Sequence, residues 1–363
     1  MVARPKRKAP KKTKKTKKAT KAPGPAAGAV TLAEAKAMVA AKRPKLALRK
    51  AGPPPASPAP LGAQRKKLEK DRAEEFERRI REYKATMEIM KRRGARRPAA
   101  KQAKGGAPKA LAKGKTFQPL QVFAEGDSWF DYPVPFFGGG IIPRLEDELG
   151  VPILNLAKAG DEVRYMLGVK ERLLLIKHLK QGCPAGGPWD VLLFSGGGND
   201  IVDNPMALWI KDWSPGNPPE SHIHQPRFGT ALALVRAGFE DLITLRDALS
   251  PTTHLVFHGY DFAIPDGRGI CFLGPWLKPT FDLRKFPNRA AGEAVVKAML
   301  QQFAAMLQTL TASPKVSFIN TQGTLAPKPG SWHNELHPES KGFETFAGLF
   351  RKKLKELFPD RVA

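Results

Sequence analysis

The chain has 363 residues, with 61 Lys and Arg against 34 Asp and Glu, a net charge of +27. Residues 1–116 hold 36 basic and 8 acidic residues and carry +28, whereas residues 117–363 hold 25 and 26 and carry −1. Two cysteines, Cys183 and Cys271, exclude a disulfide framework or a cysteine zinc site, and no apolar run approaches the roughly 20 residues that span a bilayer.

Residues 1–63 are dominated by Lys, Arg, Ala and Pro and bury too little apolar surface to order, so a disordered polybasic tail is expected. The start of the chain has no apolar core behind its charges, which argues against a secretory signal and for a cytoplasmic protein. Within the tail, Thr31 and Glu34 have the capping-box spacing and predict a short helix over Thr31–Ala41. In residues 64–93, Phe76, Ile80, Tyr83, Met87 and Met90 make an apolar stripe in steps of four and three. Four i,i+4 pairs support that helix: Glu74–Arg78, Glu75–Arg79, Glu77–Arg81 and Glu88–Arg92. The stripe covers about two heptads, short for a coiled coil, so the helix either lies on the following domain or in solvent, or serves self-association. Residues 94–116 read as a basic linker.

The tail resembles the Lys/Ala/Pro-rich tails of linker-histone-like proteins in composition. Its cations would release counterions from a polyanion and bind it without sequence preference. Nucleic acid, anionic lipid and anionic polysaccharide are equal electrostatic candidates for residues 1–116; a solubilising extension with no specific partner is the alternative.

From residue 117 short apolar runs alternate with amphipathic segments. Leu120–Ala124, Pro152–Leu156, Val191–Phe194, His254–Phe257 and Val316–Ile319 are strand candidates without clean alternation, as in parallel strands buried on both faces. Helices are expected over 161–180, 228–249, 290–312 and 340–357. The alternation predicts an α/β domain over 117–363, a three-layer α/β/α sandwich with a mainly parallel sheet. Ligands in such sheets sit at the carboxyl ends of the strands.

Four segments fall there. The first strand runs into Gly126-Asp127-Ser128, where a tight turn would place the hydroxyl at the sheet's edge. The second leads to Gly160, the third to Gly197-Gly198-Asn199-Asp200, and Asn334-Glu335-Leu336-His337 precedes the last helix. A serine hydroxyl needs a base, for which His337 is the candidate. An acyl-transfer transition state needs donors for its oxyanion, for which the Gly160 N–H and the Asn199 amide are candidates. Each segment alone is an ordinary turn or loop boundary; their order and placement make them a set.

With these four blocks the sequence resembles the SGNH (GDSL-like) serine hydrolase superfamily over residues 118–358. The resemblance implies a flavodoxin-like sheet and a serine esterase or acylhydrolase with Ser128 as nucleophile and His337 as base. It also implies an oxyanion hole from the Ser128 N–H, the Gly160 N–H and Asn199, with no metal and no organic cofactor. The family carries Asp three residues before the histidine; here it is Asn334. An Asn carbonyl orients an imidazole N–H but brings no charge. The alternatives are orientation by Asn334 itself, a dyad held by a backbone carbonyl, rotation of Glu335 into the role, or slow or lost activity. The first two fit better, with Glu335 pointing away. A polyanion-binding protein on a hydrolase scaffold with weak or lost activity is the competing function.

His333, Glu335 and His337 loosely suggest metal spacing but lack the zinc-hydrolase order. Trp129, Phe130, Tyr132, Phe136 and Phe137 with Gly138–Gly140 would form either a pocket wall and rim or core packing. Residues 201–227 and 262–288 read as long loops that would set the ester substrate.

Overall fold

The computed structural model describes residues 28–42, 61–96, 116–132, 139–270 and 274–362. Along the chain the strands are β1 (Ala95–Arg96), β2 (Thr116–Phe117), β3 (Val122–Gly126), β4 (Ile153–Asn155), β5 (Val191–Ser195), β6 (His254–His258) and β7 (Val316–Ile319). The last five form one parallel sheet in the order β4-β3-β5-β6-β7. Every residue of β3 and β5 is buried, which is why their sequences read as continuous apolar runs rather than alternating ones.

The helices are α1 (Leu32–Ala41), α2 (Leu61–Arg93), α3 (Ile141–Leu149), α4 (Val163–Met166), α5 (Val169–Gln181), α6 (Gly198–Ile201), α7 (Gln225–Leu249), α8 (Lys278–Leu283), α9 (Arg289–Thr309) and α10 (Ser340–Leu357). Right-handed crossovers put α3 and α10 on one face of the sheet and α5, α7 and α9 on the other. The packing agrees: α3 lies against α10, and α7 against α5 and α9. This is a three-layer α/β/α sandwich with the flavodoxin strand order. The order reverses between β3 and β5, so a crevice opens beyond their carboxyl ends, where Ser128 and Asn199 follow.

The N-terminal third departs from the division at residue 117. Helix α1 begins with the capping box, Glu34 N–H donating to Thr31 Oγ1 at 3.2 Å and Thr31 N–H to Glu34 Oε2 at 2.7 Å. It does not float in a tail: Leu32 and Ala35 are buried, and Lys36 Nζ sits 2.6 Å from Glu146 Oε2 on α3. Helix α2 packs against the edge strand β4 and buries Tyr83, Met87 and Met90. Each such side chain contributes about 1.5–3 kcal/mol. The face that would serve self-association is therefore spent within the chain, and α2 shields an otherwise open sheet edge. Of the expected α2 ion pairs, Glu75–Arg79 forms, whereas Glu74 and Glu88 lie nearer Lys70 and Lys84. The ends of the expected linker close into a ribbon, β1 pairing antiparallel with β2, and Val30 bridges Ala95. One core takes in Val30, Tyr83, Met87 and Ala95 with the sheet residues. The expected disorder of 1–27 and 43–60, and most of the 94–116 linker, lie outside the described residues, as do Phe136, Phe137 and Gly138.

Two further differences concern the domain itself. Helix α3 was not expected, and the 161–180 helix is broken into α4 and α5 at Leu167-Gly168. The two long loops carry structure of their own. Trp213 stacks on His222 at 4.8 Å and packs on Phe286 at 5.2 Å, so each loop buttresses the other.

Candidate active site

Ser128 sits in the turn that leaves β3. Gly126, the last strand residue, pairs with Ser195 of β5, where a Cβ would lie 2.6 Å from the Ser195 carbonyl oxygen. Glycine alone permits that approach. The turn is closed by Phe130 N–H and Asp131 N–H donating to the Asp127 carbonyl at 3.1 and 3.0 Å, and by Trp129 N–H donating to Asp127 Oδ1 at 3.0 Å. Ser128 is 8% exposed, with its hydroxyl 2.6 Å from His337 Nε2.

His337 is presented by a tight loop before α10. His333 N–H donates to the His337 carbonyl at 2.8 Å, and Trp332 bridges Pro338. The imidazole stacks on Tyr132 with centroids 4.3 Å apart, and the Trp276 ring meets it edge-on at 6.0 Å. Burial, and then the nearby His333, push its pKa down to about 3. It is therefore neutral at ordinary pH, the form that accepts a proton.

Asn334, fully buried, holds His337 from the other side. Its Oδ1 accepts from Leu336 N–H at 3.0 Å, His337 N–H at 2.9 Å and His337 Nδ1 at 3.0 Å; its Nδ2 donates to Tyr132 Oη at 2.9 Å. The two backbone N–H groups can only donate, so the amide cannot flip without leaving both unpaired. The oxygen is thus fixed toward Nδ1, which must carry the imidazole proton, and Nε2 is left bare toward Ser128. In serine proteases an Asp-to-Asn change lowers kcat about 10⁴-fold through the wrong tautomer. That route is closed here, and what Asn334 lacks is the charge.

Glu335 takes no part in orienting His337. Its carboxylate accepts from Gly267 N–H, Trp276 N–H, Leu277 N–H and Lys278 N–H at 2.6–3.0 Å, which ties Gly267 to the start of α8. The rotated-Glu335 alternative is therefore overturned, and with it the loose His-Glu-His metal spacing. Among the described residues no group of three or more His, Cys, Asp or Glu is placed to hold a metal ion.

Gly160 lies in the loop after β4 at φ +82°, a left-handed conformation that a side chain would strain. Asn199 is the second residue of α6, and its Nδ2 donates to the Asp161 carbonyl at 2.9 Å, linking the third block to the second. Val163 N–H donates to Asp200 Oδ2 at 2.9 Å, a second tie between them. Among the described hydrogen bonds neither Ser128 N–H nor Gly160 N–H has an acceptor. Ser128, His337 and Asn199 line one small cavity of about 40 Å³, whose lining also includes the apolar side chains of Val202, Ala263, Val296 and Leu300. Gly160 is not among its lining residues.

A second Ser-His-Asp cluster lies beneath the turn. Ser195 Oγ is 2.8 Å from His258 Nε2 and 2.8 Å from Asp127 Oδ1, and Tyr260 Oη donates to Asp127 Oδ2. Its order is wrong for catalysis, because serine rather than histidine stands in the middle. His258 Nδ1 donates to a backbone carbonyl, that of Gly259, at 2.6 Å. All three side chains are fully buried, and burial pushes the Asp127 carboxyl up to about 6. The cluster braces the turn that carries Ser128. Of its members only Asp127 lies in a motif legible in the sequence. Tyr132, expected at a rim or in the core, is buried in the core and from there supports Asn334 and His337. Trp129 borders the cavity and Phe130 stacks on His258 in the core.

No protein-family profile matches the chain, and no curated protein does. Among solved structures, the lipase Lip_vut3 from a goat rumen metagenome is similar at 17% identity, covering 64% of this chain and 96% of its own, with a TM-score of 0.42. An extracellular lipase from Streptomyces rimosus is 17% identical, covering 64% and 99%, with a TM-score of 0.40. Phospholipase A1 from Streptomyces albidoflavus NA297 is 12% identical, covering 64% and 98%, with a TM-score of 0.38.

Proposed function

We propose that the protein is a serine esterase or acylhydrolase of the SGNH type. The observation that carries this reading is the 2.6 Å contact of Ser128 Oγ with an imidazole whose tautomer Asn334 fixes. Ser128 Oγ attacks the ester carbonyl carbon while its proton passes to His337 Nε2. The carbonyl electrons move onto oxygen, which the Ser128 and Gly160 N–H groups and the Asn199 amide stabilise. Collapse expels the alcohol, protonated by His337, and leaves an acyl-Ser128. Water, deprotonated by His337, then releases the carboxylic acid.

The apolar lining of the cavity suits an uncharged acyl group. The basic residues of 1–116 would hold the enzyme near a polyanion that bears or borders its ester. The competing reading, a polyanion binder on an inert scaffold, is opposed by the tautomer lock, since an inert site has no use for it.

The test is hydrolysis of a p-nitrophenyl ester series from acetate to octanoate by wild type, Ser128→Ala and His337→Ala. Turnover by wild type, with both variants reduced at least about 10³-fold, supports the mechanism. Turnover that survives Ser128→Ala removes it.

A further inference from the structure

Arg79 projects from α2, which packs on the edge strand β4, into the junction of the two segments that carry Ser128 and Gly160. Its Nη2 lies 3.1 Å from both carboxylate oxygens of Asp131, the residue whose N–H closes the Ser128 turn on Asp127. Its Nη1 donates to the Asn155 and Ala157 carbonyls at 3.2 and 3.3 Å, at the point where β4 becomes the Gly160 loop. Glu75, one turn back on α2, takes Nε and Nη2 at 3.1 and 3.0 Å and steadies the fork. Arg79 is 22% exposed and Asp131 25%, so water screens this pair only in part. A planar guanidinium can serve a carboxylate and two carbonyls at once; an ammonium on a flexible stem cannot hold that geometry. Asn155 adds a second tie, its Nδ2 donating to the Phe130 carbonyl at 3.1 Å.

We propose that Arg79 is a positioning residue for hydrolysis, holding the Ser128 turn and the Gly160 loop at the spacing that oxyanion stabilisation requires. The N-terminal extension is then part of the working enzyme. The inference rests on the reading of Ser128 and Gly160 given above. Oxyanion donors are sensitive to displacement, and about 1 Å of misplacement can lower a rate about 100-fold.

The experiment uses the full-length chain with Arg79→Ala, Arg79→Lys and Asp131→Asn, and Arg78→Ala as control. Arg78 lies on the same helix, 54% exposed, with Glu75 as its partner. Turnover of p-nitrophenyl acetate and amide hydrogen exchange are measured on each. The expected result for Arg79→Ala is a kcat lowered about 10- to 100-fold with KM within about threefold. Exchange quickens in 127–132 and 156–161 but not in β6, β7 or α9. Arg79→Lys and Asp131→Asn fall between it and the control, and should Arg79→Ala fail to fold, these two decide. A kcat equal to that of Arg78→Ala, or faster exchange spread evenly over the domain, overturns the proposal. Should wild type cleave no ester, the esterase reading fails, and local exchange still decides whether Arg79 holds the two segments together.

Discussion

Asn334 is the point where charge and orientation separate, and Asn334→Asp tests the separation. The replacement is isosteric. One carboxylate oxygen keeps the three donors that Asn334 Oδ1 now has, and the other meets Tyr132 Oη, which can reverse its role and donate. With a 3.0 Å contact to Nδ1, the charge centres would stand about 4 Å apart, an attraction of about 4 kcal/mol at an effective dielectric of 20. Desolvating the carboxylate takes back part of this, leaving about 1–3 kcal/mol in favour of the imidazolium that forms in the transition state. At 1.36 kcal/mol per decade, kcat should rise about 10- to 100-fold. The pH profile should move as well. In wild type, burial holds the His337 pKa at about 3, so its base form is complete above about pH 5 and kcat/KM should show no acid limb from it there. A carboxylate raises that pKa, so in Asn334→Asp the rate should begin to fall at a higher pH on acidification. Steady-state kinetics from pH 4 to 9 measure both. A folded variant with unchanged or lower kcat and an unmoved profile would mean that no imidazolium forms beside residue 334.

Glu335→Gln should destabilise the fold by about 2–4 kcal/mol, since its carboxylate serves four backbone donors and an amide offers one oxygen. Chemical denaturation measures this, and a stability within 0.5 kcal/mol of wild type, a threshold of about the noise for surface changes, would contradict it. Val296→Phe should crowd the apolar lining of the cavity and lower kcat/KM on octanoate at least about tenfold more than on acetate. An equal loss on both esters would place the acyl chain elsewhere.

The fold was legible because its signals are local. The five parallel strands are runs of Val, Ile, Leu and Phe, and burial on both faces is what produces such runs. Helix α3 was also legible in principle. Ile141, Ile142, Leu145 and Leu149 make its buried face, and Gly150 ends it in the left-handed conformation. Pro143 in its first turn and the glycines before it disguise the start. The docking of α2 could not be read, because a stripe of Tyr83, Met87 and Met90 says that a helix packs but not on what. Of the site, Ser128, His337 and Asn334 stood in compact motifs, and their mutual contacts follow from the strand ends. Tyr132, Arg79 and the His258–Ser195–Asp127 cluster are joined only by the tertiary fold, across separations no sequence pattern spans. Asn334 looked like a defect in the sequence. Its orientation became readable only with the two backbone N–H groups that hold its oxygen.

Whether Ser128 is the nucleophile is decided by fluorophosphonate labelling of the full-length protein with peptide mapping. The expected result is a single phosphonylated serine at Ser128, lost in His337→Ala and retained, in a folded protein, when Ser195 is replaced by Ala. No label on folded wild type, or a label on Ser195, would contradict it.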